Sequence, residues 1–344
     1  MSYIADLHLH SRYAYATSKN ITLERLAAWA RVKGIDLLSS ADFTHPVWRR
    51  ELEDKLVPVS PGLYRFGGVS FVLGTEVSCV YKQGGRSRRV HMLLFAPGFA
   101  TVDRLRAAFS DAGAKLESDG RPTLRMSARD LTALALDIDP QCMVIPAHVW
   151  TPWFGLFGSK SGFDHLEECF LDMALQIHAI ETGLSSDPAM NWNIQGLGDR
   201  SIVSFSDAHS APKLGRELTV FDGDLGYGEL ADALRHRRVA YSVEFYPEEG
   251  KYHHSGHRKC GVSHSPEDTA RIGQRCPVCN RPLTLGVLHR ISGLSDGEES
   301  SHRDAGGFVQ NQEGFPPFIR LVPLIEVIAE TMGLGPASKR VERE

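Results

Sequence analysis

Residues 3–10 read YIADLHLH, an apolar run that ends in alternating polar side chains. In a β-strand alternate residues share a face, so Asp6, His8 and His10 are expected on one side and the intervening leucines on the other. Burying three such side chains is costly unless they bind a metal ion. The stretch therefore predicts a first buried strand with candidate metal ligands at its C-terminal end.

The pattern that begins at this strand continues to about residue 240, as short apolar runs alternate with amphipathic stretches. Among the amphipathic stretches are LERLAAWARVKG, which Gly34 would terminate, and MSARDLTALALD, which Ser127 would cap. The runs that read as strands are YIADLHLH, GIDLLSSAD, VSFVLGTEV, VHMLLFAP, CMVIPAHV, IHAIETG and SIVSFSDAH. This alternation predicts an α/β domain on a parallel sheet that is closed or doubly wound.

The composition is that of an ordinary globular protein. The chain has 344 residues, of which 42% are hydrophobic and 23% charged, and its formal net charge is −4. These values predict a large core and exclude disordered, collagen-like and coiled-coil chains. No apolar run reaches the roughly 18 residues of a transmembrane helix, and the N-terminus lacks signal-peptide character. We therefore expect a cytoplasmic protein without membrane contact.

Residues that can bind metals recur where later predicted strands end. They are Asp42, His45, Glu76, His91, His148, Asp207 and His209. In barrel enzymes the polar groups at the C-terminal ends of strands converge on one active site. Clustered divalent ions neutralise phosphate charge and lower the pKa of bound water, so the set predicts a metal-dependent phosphoesterase. Imidazole and carboxylate ligands leave the choice among Zn, Mn, Mg and Fe open.

The order D-x-H-x-H, Glu, His, His and D-x-H resembles the PHP (polymerase and histidinol phosphatase) family over about residues 1–245. The resemblance implies a distorted (β/α)7 barrel with two to three divalent metal ions. It assigns one ion to His8, His10, Glu76 and Asp207, a second to Glu76, His91 and His148, and a third to His45 and His209, with Asp42 nearby. It implies catalytic roles for Asp207, Glu76, His8, His10 and His148. In many family members the corresponding Asp and His are adjacent, but here two residues separate Asp42 from His45. The sequence therefore does not decide whether the third site exists.

Residues 246–290 form a predicted second unit, because the composition changes after about Glu244. Cys260 and the Cys276-x-x-Cys279 pair have the spacing of a structural zinc site that needs one more ligand. His257 is the preferred fourth ligand, and the alternatives are His264, His253 and His254. The other cysteines, Cys79, Cys142 and Cys169, lie singly in apolar runs and are expected to be buried thiols.

Two features of the sequence predict a DNA-binding surface. Residues 251–290 carry seven Lys and Arg against two acidic residues, a balance of +5 that includes Arg258 and Lys259. The segment 148–164, HVWTPWFGLFGSKSGFD, has aromatic rings that could stack on bases and polar groups that could hold phosphates. The residues singled out there are Trp150, Trp153, Phe154 and Lys160. The other interpretation is that these rings pack against the barrel or the zinc module.

A more specific resemblance spans nearly the whole chain. DFTHP, HVWTPWFGLFGSKSGFD, SDAHSAPKLGRE and GHRKCGVSHSP with CPVCNRPLTLGVLHR together resemble the endonuclease Q family. The resemblance implies hydrolysis of double- and single-stranded DNA on the 5′ side of uracil, hypoxanthine or xanthine, or at abasic sites, in DNA repair. The family joins a PHP barrel to a zinc module and a helical C-terminal region. Residues 291–344 are expected to be a flexible loop and a shortened part of that region.

Other functions stay open at this point. A small-molecule phosphatase of the histidinol-phosphate type would share the metal pattern but has no need of a basic zinc module. A non-catalytic DNA-binding subunit would need no complete ligand set. Whether a replication or repair protein such as a sliding clamp is a partner is not decided by the sequence.

Overall fold

The structure is a computed structural model that describes residues 1–297, 301–311, 314–336, 338–341 and 343. The strands are β1 (Ser2–Asp6), β2 (Leu37–Ser39), β3 (Val57–Ser60), β4 (Leu63–Phe66), β5 (Val69–Gln83), β6 (Arg86–Ala96), β7 (Thr123–Leu124), β8 (Met143–Pro146), β9 (Ala179–Glu181), β10 (Ser201–Val203), β11 (Leu218–Asp222), β12 (Val239–Glu244), β13 (Ser255–His257), β14 (Val262–His264), β15 (Ser301–Arg303), β16 (Val309–Asn311) and β17 (Phe318–Arg320). The α-helices are α1 (Leu23–Lys33), α2 (Pro46–Lys55), α3 (Phe99–Asp111), α4 (Ala128–Ile138), α5 (Leu166–Phe170), α6 (Ala189–Trp192), α7 (Tyr227–Arg235), α8 (Pro266–Ile272), α9 (Val287–Leu294) and α10 (Leu324–Thr331). None of the described helices is both long and apolar enough to cross a lipid bilayer.

The local signals in the sequence act as expected at two helix ends. Gly34 ends α1 in the left-handed conformation, with φ of 68°, where a side chain would be strained. The Ser127 hydroxyl accepts a hydrogen bond from the Asp130 N–H at 3.0 Å and so caps α4. Both predictions of helix ends are confirmed.

The central sheet is mixed, so the prediction of a purely parallel sheet is wrong. β1, β2 and β5 are parallel, whereas β11 is antiparallel to β1, and β6 is antiparallel to both β5 and β8. β9 and β10 form a separate parallel pair. The physical reason lies at Gly84 and Gly85, whose φ angles of 58° and 72° make a tight hairpin turn instead of a helical crossover.

The central strands share a buried apolar cluster. This cluster takes side chains from ten strands and from α7, and its members include Tyr3, Leu37, Val72, Leu93, Ile145, Ala179, Val203 and Phe221. The ends of β1, β2, β8, β9 and β10 lead directly into the segments that carry the candidate metal ligands. The interior therefore fixes the relative positions of these strand ends.

The C-terminal part adds strands to the sheet, which the sequence did not predict. β17 pairs in parallel with β12, and β16 and β15 continue the edge. Phe318 is fully buried, so this region packs on the main body. Residues 298–300 and 312–313, inside the loop predicted within 291–344, lie outside the described residues.

Two glutamates lie fully buried near the interior. Glu244 accepts hydrogen bonds from the Ser204 and Ser242 hydroxyls, and Glu217 accepts one from the Phe245 N–H at 3.2 Å. Burial raises the pKa of Glu244 to about 8. Burial and the neighbouring Glu244 charge raise the pKa of Glu217 well above its usual range.

We expect these two carboxyls to make the protein less stable as the pH rises. The folded chain holds protons that the unfolded chain, with ordinary carboxyl pKa values near about 4.3, has released. Their contribution is full below that value and is lost as the pH rises through about 8. Urea unfolding between pH 5 and 8.5 should show a loss of roughly 2–4 kcal/mol that is much smaller in Glu244→Gln. Equal pH slopes in both proteins would contradict the assignment.

Candidate active site

The loops after β1 and β10 lie side by side and bring the first group of ligands together. A parallel bridge joins Leu9 to Ala208, so the two histidines after β1 face Asp207 and His209. Asp6 does not join them, contrary to the alternation argument. Its carboxylate instead accepts hydrogen bonds from the Ser206 and Gly215 N–H groups at 3.0 and 2.8 Å, and so ties the β10 loop to β1.

The Glu76 carboxylate lies at the centre of the site, between two pairs of histidines. Its Oε2 atom is 3.3 Å from His10 Nε2 and 3.6 Å from His8 Nε2. Its Oε1 atom is 2.6 Å from His91 Nδ1 and 3.1 Å from His148 Nε2. The two oxygens of one buried carboxylate therefore face two different sets of nitrogen donors, which is the arrangement of a bridging ligand.

Asp207 extends the His8–His10 side of the site. Its Oδ1 atom is 3.1 Å from His10 Nε2, 3.4 Å from His8 Nε2 and 3.5 Å from His209 Nδ1. Three overlapping groups in the site have their donor atoms within 4.8 Å of one another. They are His8, His10 and Glu76; Glu76, His91 and His148; and His10, Asp207 and His209.

Asp42 and His45 are placed differently from the prediction. Asp42 lies behind His10, with Oδ1 3.3 Å from His10 Nδ1 and Oδ2 accepting the Ser11 N–H at 2.5 Å. The His45 ring stacks on Tyr13 with 4.2 Å between ring centroids, and it lies outside the three groups found in the described residues. His209 groups with His10 and Asp207, whereas His45 lies in no such group in the described part of the chain, so a third ion held by His45 and His209 stays a prediction.

The sequence suggested that Glu76 and His91 lie at strand ends, but neither does. Both are inside the long hairpin of β5 and β6, which continues past the site to the turn at residues 84–85. The other ligands do follow strand ends, and three site residues have a strained backbone. The φ angles are 39° at Asp42, 30° at His148 and 45° at Asp207. Such strain in non-glycine residues is typical of functional sites.

The charges in the site favour metal binding. Burial alone would lower the pKa of His8, but the carboxylates of Glu181, Asp207 and Glu76 raise it well above its usual range. Burial opposes the ionisation of Glu76, but His91 and Arg121 hold its pKa well below its usual range. Burial lowers the pKa of His91 to about 4. Ionised carboxylates and neutral imidazoles are the forms that bind divalent metals, so His8 must release its proton when an ion binds; the carboxylates that hold this proton attract a metal cation in the same way.

One orphaned atom shows that the donor set fits an ion. The buried Nε2 of His8 has no hydrogen-bond partner among the described residues, although a carboxylate on the other side of the ring fixes Nδ1. A buried polar atom without a partner is costly unless something binds it. A metal ion facing Nε2 would satisfy this atom.

The structure adds three residues that sequence reasoning did not select. Both oxygens of Glu181 are 2.9 Å from His8 Nδ1, and Oε2 also accepts the His148 N–H at 2.8 Å. The Arg121 guanidinium donates to Glu76 Oε2 at 3.0 Å, and Thr151 Oγ1 is 3.1 Å from His148 Nδ1. Glu181 was detectable, because it ends the predicted strand IHAIETG as other ligands end theirs. Arg121 lies in a loop without a pattern.

We expect Glu181→Gln to weaken metal binding without unfolding the protein. The carboxylate fixes the orientation of the His8 ring, and changes of this kind typically cost about 10- to 100-fold in metal affinity. Calorimetric titration with Mn²⁺ measures the effect, and Glu229→Gln on the exposed face of α7 is the matched control. Unchanged Mn²⁺ affinity in Glu181→Gln would show that His8 needs no support from this group.

The segment 148–164, called here the aromatic loop, is packed more tightly than a DNA-contacting loop would be. Trp150 was predicted to contact DNA, but its side chain is 1% exposed and its Nε1–H donates to Asn191 Oδ1 at 2.8 Å. It cannot stack on a base, because the core already covers both faces of the ring. Phe154 packs on the His91 ring at 4.4 Å. Trp153 is 38% exposed and lies edge-on to Tyr252.

Lys160 also has a structural partner. Its Nζ donates to the Leu283 carbonyl at 3.3 Å, so it links the aromatic loop to the unit of residues 246–290. Arg258 and Lys259 are exposed on that unit. Of the residues predicted to bind DNA, Trp153, Lys160, Arg258 and Lys259 are exposed, Phe154 is half-buried and Trp150 is buried.

A second cluster of metal donors lies in residues 246–290. The donor atoms of His257, Cys260, Cys276 and Cys279 lie within 4.8 Å of one another, and Cys279 Sγ is 3.2 Å from His257 Nδ1. Burial opposes ionisation of the Cys276 thiol, but the N–H groups of Cys279 and Val278 help lower its pKa to about 6. The cluster includes His257 rather than the alternative histidines. Its four donors match a closed tetrahedral zinc site.

Sequence comparison finds related proteins of two organisms, and no protein-family model matches the chain. The uncharacterised protein YqxK of Bacillus subtilis is 30% identical over 310 residues, which is 85% of this chain and 77% of that protein. An uncharacterised protein of Methanocaldococcus jannaschii is 31% identical over 201 residues, which is 56% of this chain. This match spans 24% of the length of that archaeal protein.

Structural comparison is more informative. The lesion-specific endonuclease PfuEndoQ from Pyrococcus furiosus matches with a TM-score of 0.84 and 31% identity, covering 100% of this chain and 81% of that one. Endonuclease Q in complex with a 27-mer duplex substrate, with an abasic lesion at its active site, matches with a TM-score of 0.85 and 31% identity over 100% and 82% of the two chains. This likeness extends over the whole chain in both structure and sequence. The chain therefore belongs to the endonuclease Q family of nucleases.

Proposed function

We propose that this nuclease hydrolyses the phosphodiester on the 5′ side of a damaged nucleotide in DNA, as a metal-dependent endonuclease of DNA repair. One observation carries the proposal: the two oxygens of Glu76 face two separate histidine pairs. Two neighbouring cation sites that share a carboxylate suit the charged oxygens and the poor leaving group of a phosphodiester.

The residues that would hold the ions follow from the three groups in the site. His8, His10, Glu76 and Asp207 would hold one ion, and Glu76, His91 and His148 a second; a third ion near His209 would need donors other than His10 Nε2, because that atom already faces the first ion. When bound, such ions supply a water acidified to hydroxide near neutral pH and neutralise charge on the phosphate. The mixed donors accept Zn, Mn or Fe, and the carboxylates also accept Mg.

The protein contributes positioning and charge of its own. Glu181 and Asp42 hold His8 and His10 through Nδ1, so that Nε2 of each ring faces Glu76. Arg121 contacts Glu76 through one nitrogen while its side chain remains 20% exposed. Its other N–H groups are free to bind a phosphate oxygen, which a guanidinium does with directed hydrogen bonds.

We further propose that the fold is a distorted barrel of the PHP type. The support is the buried cluster to which ten strands contribute side chains, together with the location of His8, His10, His148 and Asp207 just after the C-terminal ends of strands. His257, Cys260, Cys276 and Cys279 would hold a structural zinc ion. The exposed Arg258 and Lys259 on this unit provide positive charge for the DNA backbone.

The substrate class is a proposal from family membership and from the exposed aromatic ring near the site. The related endonuclease Q complex contains duplex DNA with an abasic lesion, and we extend this to uracil, hypoxanthine and xanthine. A base inside a duplex is hidden, so an enzyme that inspects it must extrude it or separate its neighbours. Deaminated bases pair less well, which lowers that cost.

We expect Trp153→Ala to weaken cleavage at uracil more than cleavage at an abasic site. Stacking on an aromatic ring contributes about 1–3 kcal/mol per base, so the loss at uracil should be about 5- to 100-fold. An abasic site has no base to stack, and its cleavage should change less. Single-turnover rates on matched duplexes measure the difference, and Trp153→Phe should keep most of the wild-type preference. Equal losses on both substrates would leave Trp153 a packing role only.

The test of the proposed function uses 5′-labelled duplexes that carry one uracil, one abasic site or no lesion. With Mn²⁺ present, we expect a single cut on the 5′ side of each lesion and no cut after treatment with EDTA. Histidinol phosphate is tested in parallel. Hydrolysis of histidinol phosphate without DNA cleavage would favour the small-molecule phosphatase. Binding of the DNA duplexes without hydrolysis of either substrate would favour the non-catalytic subunit.

A further inference from the structure

The candidate zinc cluster closes a short turn in the chain. The Cys276 N–H donates to the Arg281 carbonyl at 2.8 Å, and the Asn280 N–H donates to the Cys276 carbonyl at 2.8 Å. Just outside this turn the Leu283 N–H donates to the Gln274 carbonyl at 2.9 Å. The position of Leu283 therefore depends on the turn that the two cysteines of the Cys-x-x-Cys pair hold closed.

The segment that follows this turn holds the aromatic loop. The Ser159 hydroxyl donates to the Leu285 carbonyl at 2.9 Å, and Lys160 Nζ donates to the Leu283 carbonyl at 3.3 Å. Arg290, in α9, reaches the same loop from a second point. Its Nε–H donates to the Phe157 carbonyl at 3.0 Å, and its Nη2 donates to the Phe163 carbonyl at 3.0 Å and to Asp164 at 2.8 Å.

The aromatic loop is too tightly packed to absorb a displacement locally. A Cβ atom on Gly155 or on Gly158 would lie 2.5 or 2.3 Å from the Thr151 carbonyl oxygen, and one on Gly162 would lie 2.3 Å from the Gly158 nitrogen. The backbone also folds on itself, since the Phe157 N–H donates to the Val149 carbonyl at 2.7 Å. A shift on one side of the loop is therefore passed to the other.

The opposite side of the loop holds two of the candidate metal ligands. Thr151 Oγ1 is 3.1 Å from His148 Nδ1, and the Phe154 carbonyl accepts the His91 N–H at 2.8 Å. Both histidines belong to the group that faces Glu76 Oε1. The rings that face Oε2 are held from behind by other carboxylates, Glu181 and Asp42.

We propose that residues 246–290 act as a positioning element for one particular ion of the active site, the one bound by Glu76, His91 and His148. The contacts run from the zinc cluster to Leu283 and Leu285, then through the aromatic loop to the two histidines. This role is additional to any contact with DNA, and it rests on the two-ion site of the proposed function. It predicts that disturbing residues 246–290 weakens one metal site and leaves the other intact.

The test is a Mn²⁺ titration of the full chain without DNA, followed by electron paramagnetic resonance, which reports bound ions and their magnetic coupling. Arg290→Ala removes three contacts to the loop but no zinc ligand. We expect it to lower the affinity for one Mn²⁺ ion by about 10- to 100-fold, while the zinc content and the affinity for the other Mn²⁺ ion stay unchanged. Arg271→Ala is the matched control, because this exposed arginine pairs, among the described residues, only with Asp268 on its own helix. In a His91→Ala background, Arg290→Ala should have no further effect.

Two results would overturn the inference. The first is a wild-type signal of two coupled Mn²⁺ ions in both Arg290→Ala and zinc-free Cys279→Ser. This result would contradict the inference but leave the proposed function standing. The other is a wild-type protein that binds no coupled pair, which would remove the proposed function as well. Because DNA is absent from the assay, a role of Arg290 in DNA binding cannot produce the expected result.

Discussion

Glu76→Gln is expected to reduce cleavage of lesion-containing DNA by about 10³-fold or more, which corresponds to about 4 kcal/mol of lost transition-state stabilisation. The amide has nearly the same size as the carboxylate, so packing should be preserved. It removes the negative charge that faces both histidine pairs, and its NH₂ group would point at one of them. Both candidate ion positions should therefore be weakened at once. Cleavage rates at saturating Mn²⁺, together with the melting temperature, measure the effect.

Glu229→Gln provides the control for this prediction. It is the same change from carboxylate to amide, but at an exposed residue of α7 away from the site. Asp207→Ala and His8→Ala should also abolish cleavage, but each would disturb mainly one side of the centre. A folded Glu76→Gln protein that cleaves at the wild-type rate would mean that this carboxylate binds no ion required for the reaction.

Cys276→Ser should remove zinc from the protein and unfold residues 246–290 while leaving the main body folded. Structural zinc supplies folding energy directly, of roughly 10–16 kcal/mol in zinc-finger peptides at neutral pH. The described part of this unit has short elements and a small buried core, with Cys276 itself 1% exposed. Elemental analysis should show loss of about one zinc per chain. Hydrogen exchange should show faster exchange in residues 250–290 than in β1 or β5.

The matched control is Cys142→Ser, since Cys142 is a buried cysteine outside the donor cluster. Its zinc content should equal that of the wild type, whatever its stability. If Cys276→Ser keeps its zinc, then the four donors are not the zinc site and the folding of this unit needs another explanation.

The sequence predicted the parts of the site that share one physical signal. His8, His10, His148 and Asp207 are polar residues placed where an apolar strand stops, and the fold brings the ends of these strands together. The Cys and His spacing of residues 257–279 is equally local. Recognition of the family depended on similar short segments, and the structural comparison confirmed it over the whole chain.

What the sequence did not predict depends on contacts between distant segments. Asp6 continues the alternation of the first strand, but two backbone N–H groups from the β10 loop bind it first. Trp150 and the exposed Trp153 lie three positions apart in the same segment, and only the fold shows that the core covers Trp150. Arg121 reaches Glu76 across 45 residues of chain from a loop without periodicity. A helical crossover was expected after β5, but a turn at two glycines connects β5 directly to β6 as a hairpin.

The central claim is that one carboxylate joins two cation sites, and crystals of the protein soaked with Mn²⁺ test it most directly. An anomalous difference map recorded near the manganese absorption edge locates the ions independently of any assumption about their ligands. We predict one peak beside Glu76 Oε2, with His8 and His10, and a second beside Glu76 Oε1, with His91 and His148. A map without peaks at Glu76, or with a single ion bound by histidines of both pairs, would contradict the account.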